Sequence, residues 1–241
     1  VPPGGTWSGA GVSLATFFPN LAGPGTHVIN YTYTNTWGCV AGGNVSITVV
    51  TLVPFACGNN LTDVRDNQVY PTVNLGGRCW FAANLNYGAV IPSTQMQLDN
   101  CTNEKYCFGD NPANCSSGGG MYQWDELMKY TSVSGAQGFC PPEWHVPTEA
   151  EWNALFAFYI SNGFAGSPLK YTGYSGFNAF LNGARFNNVQ WDFNNFAVLF
   201  WSSGAHAARK AWAHGMNSFN PSVSLYPSHR NNAFFVRCIK D

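Results

Sequence analysis

Eight cysteines and five histidines are the side chains of this 241-residue chain best suited to chemistry. Nucleophilic catalysis needs a Ser or Cys held beside a His, and no Gly-x-Ser-x-Gly elbow occurs. His145, within Trp144-His-Val-Pro, can be read as a general base. It also precedes a helix and stands between two residues that read as buried, so a structural, hydrogen-bonded histidine is expected. His27, His206, His214 and His229 show no ligand spacing, and no Cys-x-x-Cys pair accompanies them, which argues against zinc. Trp191-Asp-Phe-Asn-Asn offers Asp192, Asn194 and Asn195 as calcium ligands. Calcium takes about six to eight oxygens, and one carboxylate with two amides makes a poor cage. A solvated loop is the expectation there. No catalytic residue, metal or cofactor is expected.

The composition narrows the remaining classes. Charged residues make up 10% of the chain and aromatic residues 16%, which is too apolar for disorder. Its 26 glycines and 14 prolines interrupt every apolar run well short of the ~18 to 20 residues of a membrane span. A net charge of -1 gives no electrostatic case for nucleic acid or an anionic membrane. An even cysteine count fits disulfides in an oxidising compartment, so a secreted or cell-surface protein is expected. The opening Val1-Pro-Pro-Gly-Gly is no signal peptide and reads as a mature product or a piece of something longer.

The elements that must position these residues fall into two parts. Residues 1 to 53 alternate β-branched or aromatic with polar residues in His27-Val-Ile-Asn-Tyr-Thr-Tyr-Thr and again in Asn44-Val-Ser-Ile-Thr-Val-Val-Thr-Leu-Val, as half-buried strands do. Roughly four strands are expected, too few for a closed sandwich of ~7. Val28, Tyr31 and Tyr33 in one strand and Val45, Ile47 and Val49 in another then need a cover. The expected cover is the C-terminal part of the chain, or strands from an upstream part or a second chain. A boundary is expected near Pro54 to Asn60. Beyond it, Val69 to Leu75 and Cys79 to Leu85 read as strands around Gly76-Gly77, and Met121 to Tyr130 has helical spacing. A second helix is marked by Thr148 and Glu151, a Thr-x-x-Glu capping box, followed by an inward stripe of Trp152, Leu155, Phe156 and Tyr159. From Ser161 onward short strands and Gly/Asn/Ser loops are expected.

Four segments carry a family resemblance: Tyr70-Pro-Thr-Val-Asn-Leu-Gly-Gly-Arg-Cys-Trp-Phe, Gly120-Met-Tyr-Gln-Trp-Asp-Glu-Leu-Met, Gly138-Phe-Cys-Pro-Pro-Glu-Trp-His-Val-Pro-Thr-Glu-Ala-Glu-Trp and Phe235-Val-Arg-Cys-Ile-Lys-Asp. Residues 57 to 241 resemble the Fibrobacter major paralogous domain, of the C-type-lectin-like superfamily of bacterial surface proteins. Gly5-Thr-Trp-Ser-Gly and the strands after it resemble the C-terminal part of an immunoglobulin-like repeat of Bacteroidetes adhesins. The resemblance implies an α+β fold, with two helices and an irregular antiparallel sheet preceded by a partial all-β segment over residues 1 to 53. The Glu-Pro-Asn and Gln-Pro-Asp triplets of sugar-binding, calcium-dependent C-type lectins are absent.

Disulfides Cys107–Cys115 and Cys140–Cys238 follow from the resemblance together with the short turn-rich loop between the first two. For the remaining four cysteines, Cys79 with Cys101 and Cys39 with Cys57 is the preferred pairing. Between the family anchors Trp201, Ser202, Ser203, Ala211, Trp212, Val223 and Val236 to Cys238, the residues are unusually mixed. They resemble C-type-lectin-like proteins diversified by retroelements, which implies a display face of His206, Arg209, His214, Phe219, Tyr226, His229 and Arg230. Three functions are weighed. A non-catalytic recognition or adhesion module for a surface glycan or protein leads. The alternative is a structural subunit of an extracellular filament or virion, completed by a neighbouring chain's strands. The third is a formylglycine-generating type of enzyme, which would need free thiols.

Overall fold

The computed structural model describes residues 3–50, 55–161, 166–186 and 189–241. The chain divides into two units, Val1–Phe55 and Ala56–Asp241, and mixes strands with a few helices in the α+β manner. Pro54, at one end of the expected boundary, lies outside the described residues, as do Thr51 to Val53.

In the first unit, Gly25–Thr34 is the central strand of a three-stranded sheet. Thr6–Ser8 pairs with one edge and Val40–Val49 with the other. A small hairpin, Val12–Ser13 with Thr16–Phe17, adds two further short strands. Alternation works as expected for Ile29 and Tyr31, which are buried, with Tyr33 half-buried beside them. Val28 departs from the expectation. Strand parity turns it to the opposite face from Tyr31 and Tyr33, where it is exposed. Val45 is 49% exposed while Ile47 and Val49 are half-buried, so the apolar face is only partly covered.

The second unit holds two larger sheets. Asn60–Thr62, Val69–Leu75 and Arg78–Phe81 form a meander, extended by Ile239–Lys240 and then Trp144–His145. The tight turn between the second and third of these needs left-handed backbone at Gly76 (φ 60°) and Gly77 (φ 81°), which glycine supplies without a Cβ clash. The other sheet contains Tyr122–Gln123, Ala233–Phe234, Asn182–Arg185, Ala197–Ala207, Lys210–Asn217 and Val223–His229, with Trp191–Asn194 paired to Asn182–Arg185.

The helix Glu149–Ser161 starts as its capping box dictates. Thr148 Oγ1 accepts from the Glu151 N–H (3.2 Å), and Glu151 Oε2 accepts from the Thr148 N–H (3.0 Å). Its stripe buries Trp152, Leu155 and Tyr159, with Phe156 half-buried. Trp152 packs on Trp80 (4.9 Å between ring centroids) and Phe200 (5.5 Å), so the helix joins both sheets in one core. Each such ring contributes about 1.5–3 kcal/mol by leaving water. The other expected helix shrinks to one turn, Trp124–Leu127, because Tyr122 and Gln123 are taken by Phe234 and Ala233 as a strand pair.

Arg237 is the polar centre of this core. It is fully buried, and its guanidinium donates to Asn84 Oδ1 (2.7 Å) and to the carbonyls of Phe81 (3.1 Å), Phe177 (2.5 Å) and Asn178 (2.9 Å). Burial pushes its pKa down, to about 9.

Three disulfides brace the second unit: Cys57–Cys79, Cys107–Cys115 and Cys140–Cys238. The last two pairs agree with expectation. The first replaces both preferred pairings of the remaining four cysteines. The bond from the Gly58 N–H to Thr72 Oγ1 (3.0 Å) folds Cys57 over the meander, placing its Cα 5.7 Å from that of Cys79. Cys39, in the turn before Val40–Val49, and Cys101 are unpaired and exposed.

Candidate binding face of the C-terminal sheet

The strands Ala197–Ala207, Lys210–Asn217 and Val223–His229 run antiparallel, with Leu199 opposite Gly215 and Gly215 opposite Ser224. Strand alternation divides them into two faces. Val198, Phe200, His214 and Met216 turn toward the Glu149–Ser161 helix and are buried. Leu199, Gly215 and Tyr226 turn the other way. There they floor a groove of about 500 Å³, walled by Phe186, Phe193, Phe196 and Phe219.

Each wall ring has a local cause. Phe196 stacks with Phe219 (5.8 Å) and Phe186 meets Phe193 edge-on (5.6 Å). Phe193 is held at φ 63°, a left-handed conformation that costs a bulky residue on the order of 1–3 kcal/mol. Asp192 Oδ1 caps this turn by accepting from the Phe193 N–H (2.7 Å). Gly215 is small for a reason too: a Cβ there would lie 3.0 Å from Leu199 and 3.4 Å from Tyr226. Phe219 (81% exposed), Phe196 (54%) and Phe193 (40%) keep much of their area in water. Among the described residues, none that lines the groove is charged. Burial raises the Tyr226 pKa, so its phenol stays a neutral hydrogen-bonding group.

The expected display residues separate into three sets. Phe219 and Tyr226 line the groove. His206, Arg209, His229 and Arg230 gather at the opposite end of the strands, around the turn where Lys210 faces His229. The two ends are about 20 Å apart, six residues at ~3.3 Å each. There His206 and Arg209 are exposed, with His206 edge-on to Trp212 (4.5 Å). Arg230 is tied down by Asp125 (3.0 Å) and lies over the Trp124 ring (4.2 Å). His214 is corrected outright. It faces the core, fully buried against Trp152 (5.2 Å) and Phe156 (5.3 Å), and cannot be displayed. Burial pushes its pKa down to about 4.

Phe186, Phe193 and Phe196 were not singled out from the sequence. Their signal was present: phenylalanines scattered without period through the Asn-rich stretch 186–196, where no strand or helix could bury them all.

The other candidate chemistry resolves as follows. His145 places Nδ1 2.5 Å from Asp241 Oδ1 and Nε2 3.0 Å from Glu151 Oε2, a hydrogen-bonded role. Burial alone would lower its pKa, but the two carboxylates outweigh it and the net shift is upward. Cys140 and Cys238 are joined to each other, and neither is a thiol. Among the described residues, no three His, Cys, Asp or Glu side chains gather as a metal cage. No described helix is long and apolar enough to cross a membrane.

Residues 73–240 match the family model described as the Fibrobacter succinogenes major domain. No curated protein matches the chain, and no solved structure matches it.

Proposed function

The chain belongs to the Fibrobacter succinogenes major domain family, and we propose that it is a non-catalytic recognition module of the cell surface or the extracellular space. Its ligand is a surface glycan or protein, held on the outer face of the C-terminal sheet. The aromatic groove formed by Phe186, Phe193, Phe196, Phe219 and Tyr226 carries this reading. Contiguous exposed aromatic surface is costly in water and marks interaction sites. The strained Phe193 supports it further, since such backbone cost persists where function requires it. A C-type-lectin-like scaffold fits the pairing of Ile239 with Trp80, which joins the last strand of the second unit to one of its first. Three disulfides fit an extracellular setting. The first unit then serves as an immunoglobulin-like stalk, its sheet completed by upstream repeats or a neighbouring chain.

Screening the full chain against glycan and peptide arrays tests this, followed by titration of any hit against Phe219→Ala and Tyr226→Ala. Each variant should weaken binding by about 30-fold or more, the scale of an aromatic hot spot, and Phe219→Ala, at an exposed position, should do so without lowering the melting temperature. A ligand held equally well by both variants would refute the groove as the site.

A further inference from the structure

The outer edge of Val40–Val49 is unpaired among the described residues, since the strand's one neighbour in the sheet is Gly25–Thr34. Exposed edges are normally blunted by charge, proline or a bulge. This one has none. Val-Ala-Gly-Gly-Asn-Val-Ser-Ile-Thr-Val carries no charged residue and no proline, and its ten-residue register is unbroken.

The phase of the ladder shows which groups are free. The Asn35 N–H donates to the Cys39 carbonyl (3.0 Å) at the turn, making that pair a hydrogen-bonded one. Antiparallel pairs alternate, so Ala41, Gly43, Val45, Ile47 and Val49 bond to the central strand. Val40, Gly42, Asn44, Ser46 and Thr48 therefore direct their N–H and C=O groups outward.

The side chains on the groove-facing side are polarised by size. Ala41 and Gly43 are small and stand opposite Tyr33 and Tyr31, whereas Val45, Ile47 and Val49 are large. With Trp7, these residues leave a groove of about 390 Å³, and a Cβ on Gly43 would meet nothing within 4 Å.

We propose that two copies of this chain join edge to edge through Val40–Val49, antiparallel and two-fold symmetric about Val45. In that register Ile47 of the second copy falls beside Gly43, and its Val49 beside Ala41, so large fills small on both sides of the axis. Gly42 pairs with Thr48 and Asn44 with Ser46 through the outward backbone groups. The two Val45 side chains meet as a non-hydrogen-bonded pair, where cross-strand side chains approach most closely. The result is one continuous six-strand sheet.

The test is sedimentation velocity of the full chain over a concentration series, with Cys39→Ser and Cys101→Ser throughout to exclude disulfides of the exposed thiols. A monomer–dimer equilibrium is expected, and Val45→Cys in that background should form a covalent dimer under mild oxidation. Ser46→Pro removes an outward N–H while sparing every bond to the central strand. Val45→Lys sets two charges face to face at a position already in water. Each should raise the dissociation constant by about tenfold or more, with the thermal transition unchanged. If Ser46→Pro lowers that transition, Val45→Lys alone decides. A monomer at every concentration overturns the proposal. So does a dimer untouched by Val45→Lys, or one in which Val45→Cys fails to cross-link.

Discussion

The imidazole of His214 packs against the indole of Trp152, ring centroids 5.2 Å apart and planes inclined by 34°. Helix and sheet meet at this contact, beneath the groove. Burial holds His214 neutral with a pKa near 4, below its ordinary 6.5. A group whose folded pKa is lowered stabilises the fold above its unfolded pKa, and that contribution is lost as pH falls from about 6.5 toward 4. The loss should approach ~3 kcal/mol at the acid end of the window. Urea denaturation at pH 7 and pH 4.5 measures it, and His214→Phe should flatten the dependence. An equal slope in the variant would contradict the burial argument.

His145 titrates with the opposite sign. Burial lowers its pKa, but Glu151 and Asp241 outweigh that, so the protonated ring stabilises the fold below about pH 6.5 and the benefit fades as pH rises through the raised value. Burial would raise the pKa of Glu151, yet His145 and Thr148 bring it down to about 2, and its contribution is lost as pH falls from 4.5 toward 2. Titration of the His145 ring proton by NMR should show a midpoint above 6.5. Glu151→Gln should lower that midpoint, and an unmoved one would mean the pair is not formed in solution.

How far the sequence revealed all this depends on how local each signal was. The capping box of Thr148 and Glu151 lies within four residues, and the helix stands where it was expected. The Gly76-Gly77 turn was equally readable. Helical spacing misled at Met121 to Tyr130, because Met121, Trp124, Leu127 and Met128 are buried on all sides and their spacing carries no information about period. His214 could have been read correctly. It shares strand parity with the buried Met216, whereas Ala213 and Gly215 face the groove side. Cys57–Cys79 needed the path of residues 57–72 across the meander, which no spacing rule supplies.

The disulfides differ in the loops they close. Cys140–Cys238 spans 98 residues and Cys57–Cys79 spans 22, so loop entropy makes the first worth about 5 kcal/mol and the second about 3. Calorimetry of the two double-serine variants should show the larger fall in melting temperature for Cys140/Cys238. The reverse order would place the effect in strain or packing instead.

Arg237 should tolerate neither lysine nor methionine. Methionine strands Asn84 and three carbonyls in the core, and lysine cannot reach all four with one ammonium. Arg237→Met should cost on the order of 3 kcal/mol or more in chemical denaturation. A loss below about 1 kcal/mol would show that water replaces the guanidinium.

Residues 233–240 bring one further consequence. This short stretch supplies Ala233–Phe234 to one sheet, Ile239–Lys240 to the other, and Arg237 and Cys238 to the core between them. Until it has left the ribosome, both sheets lack a strand and Cys140 has no partner. The second unit therefore cannot fold piecemeal as it is synthesised. Its two sheets close on one another only when this stretch joins them, with its own completion as the latch.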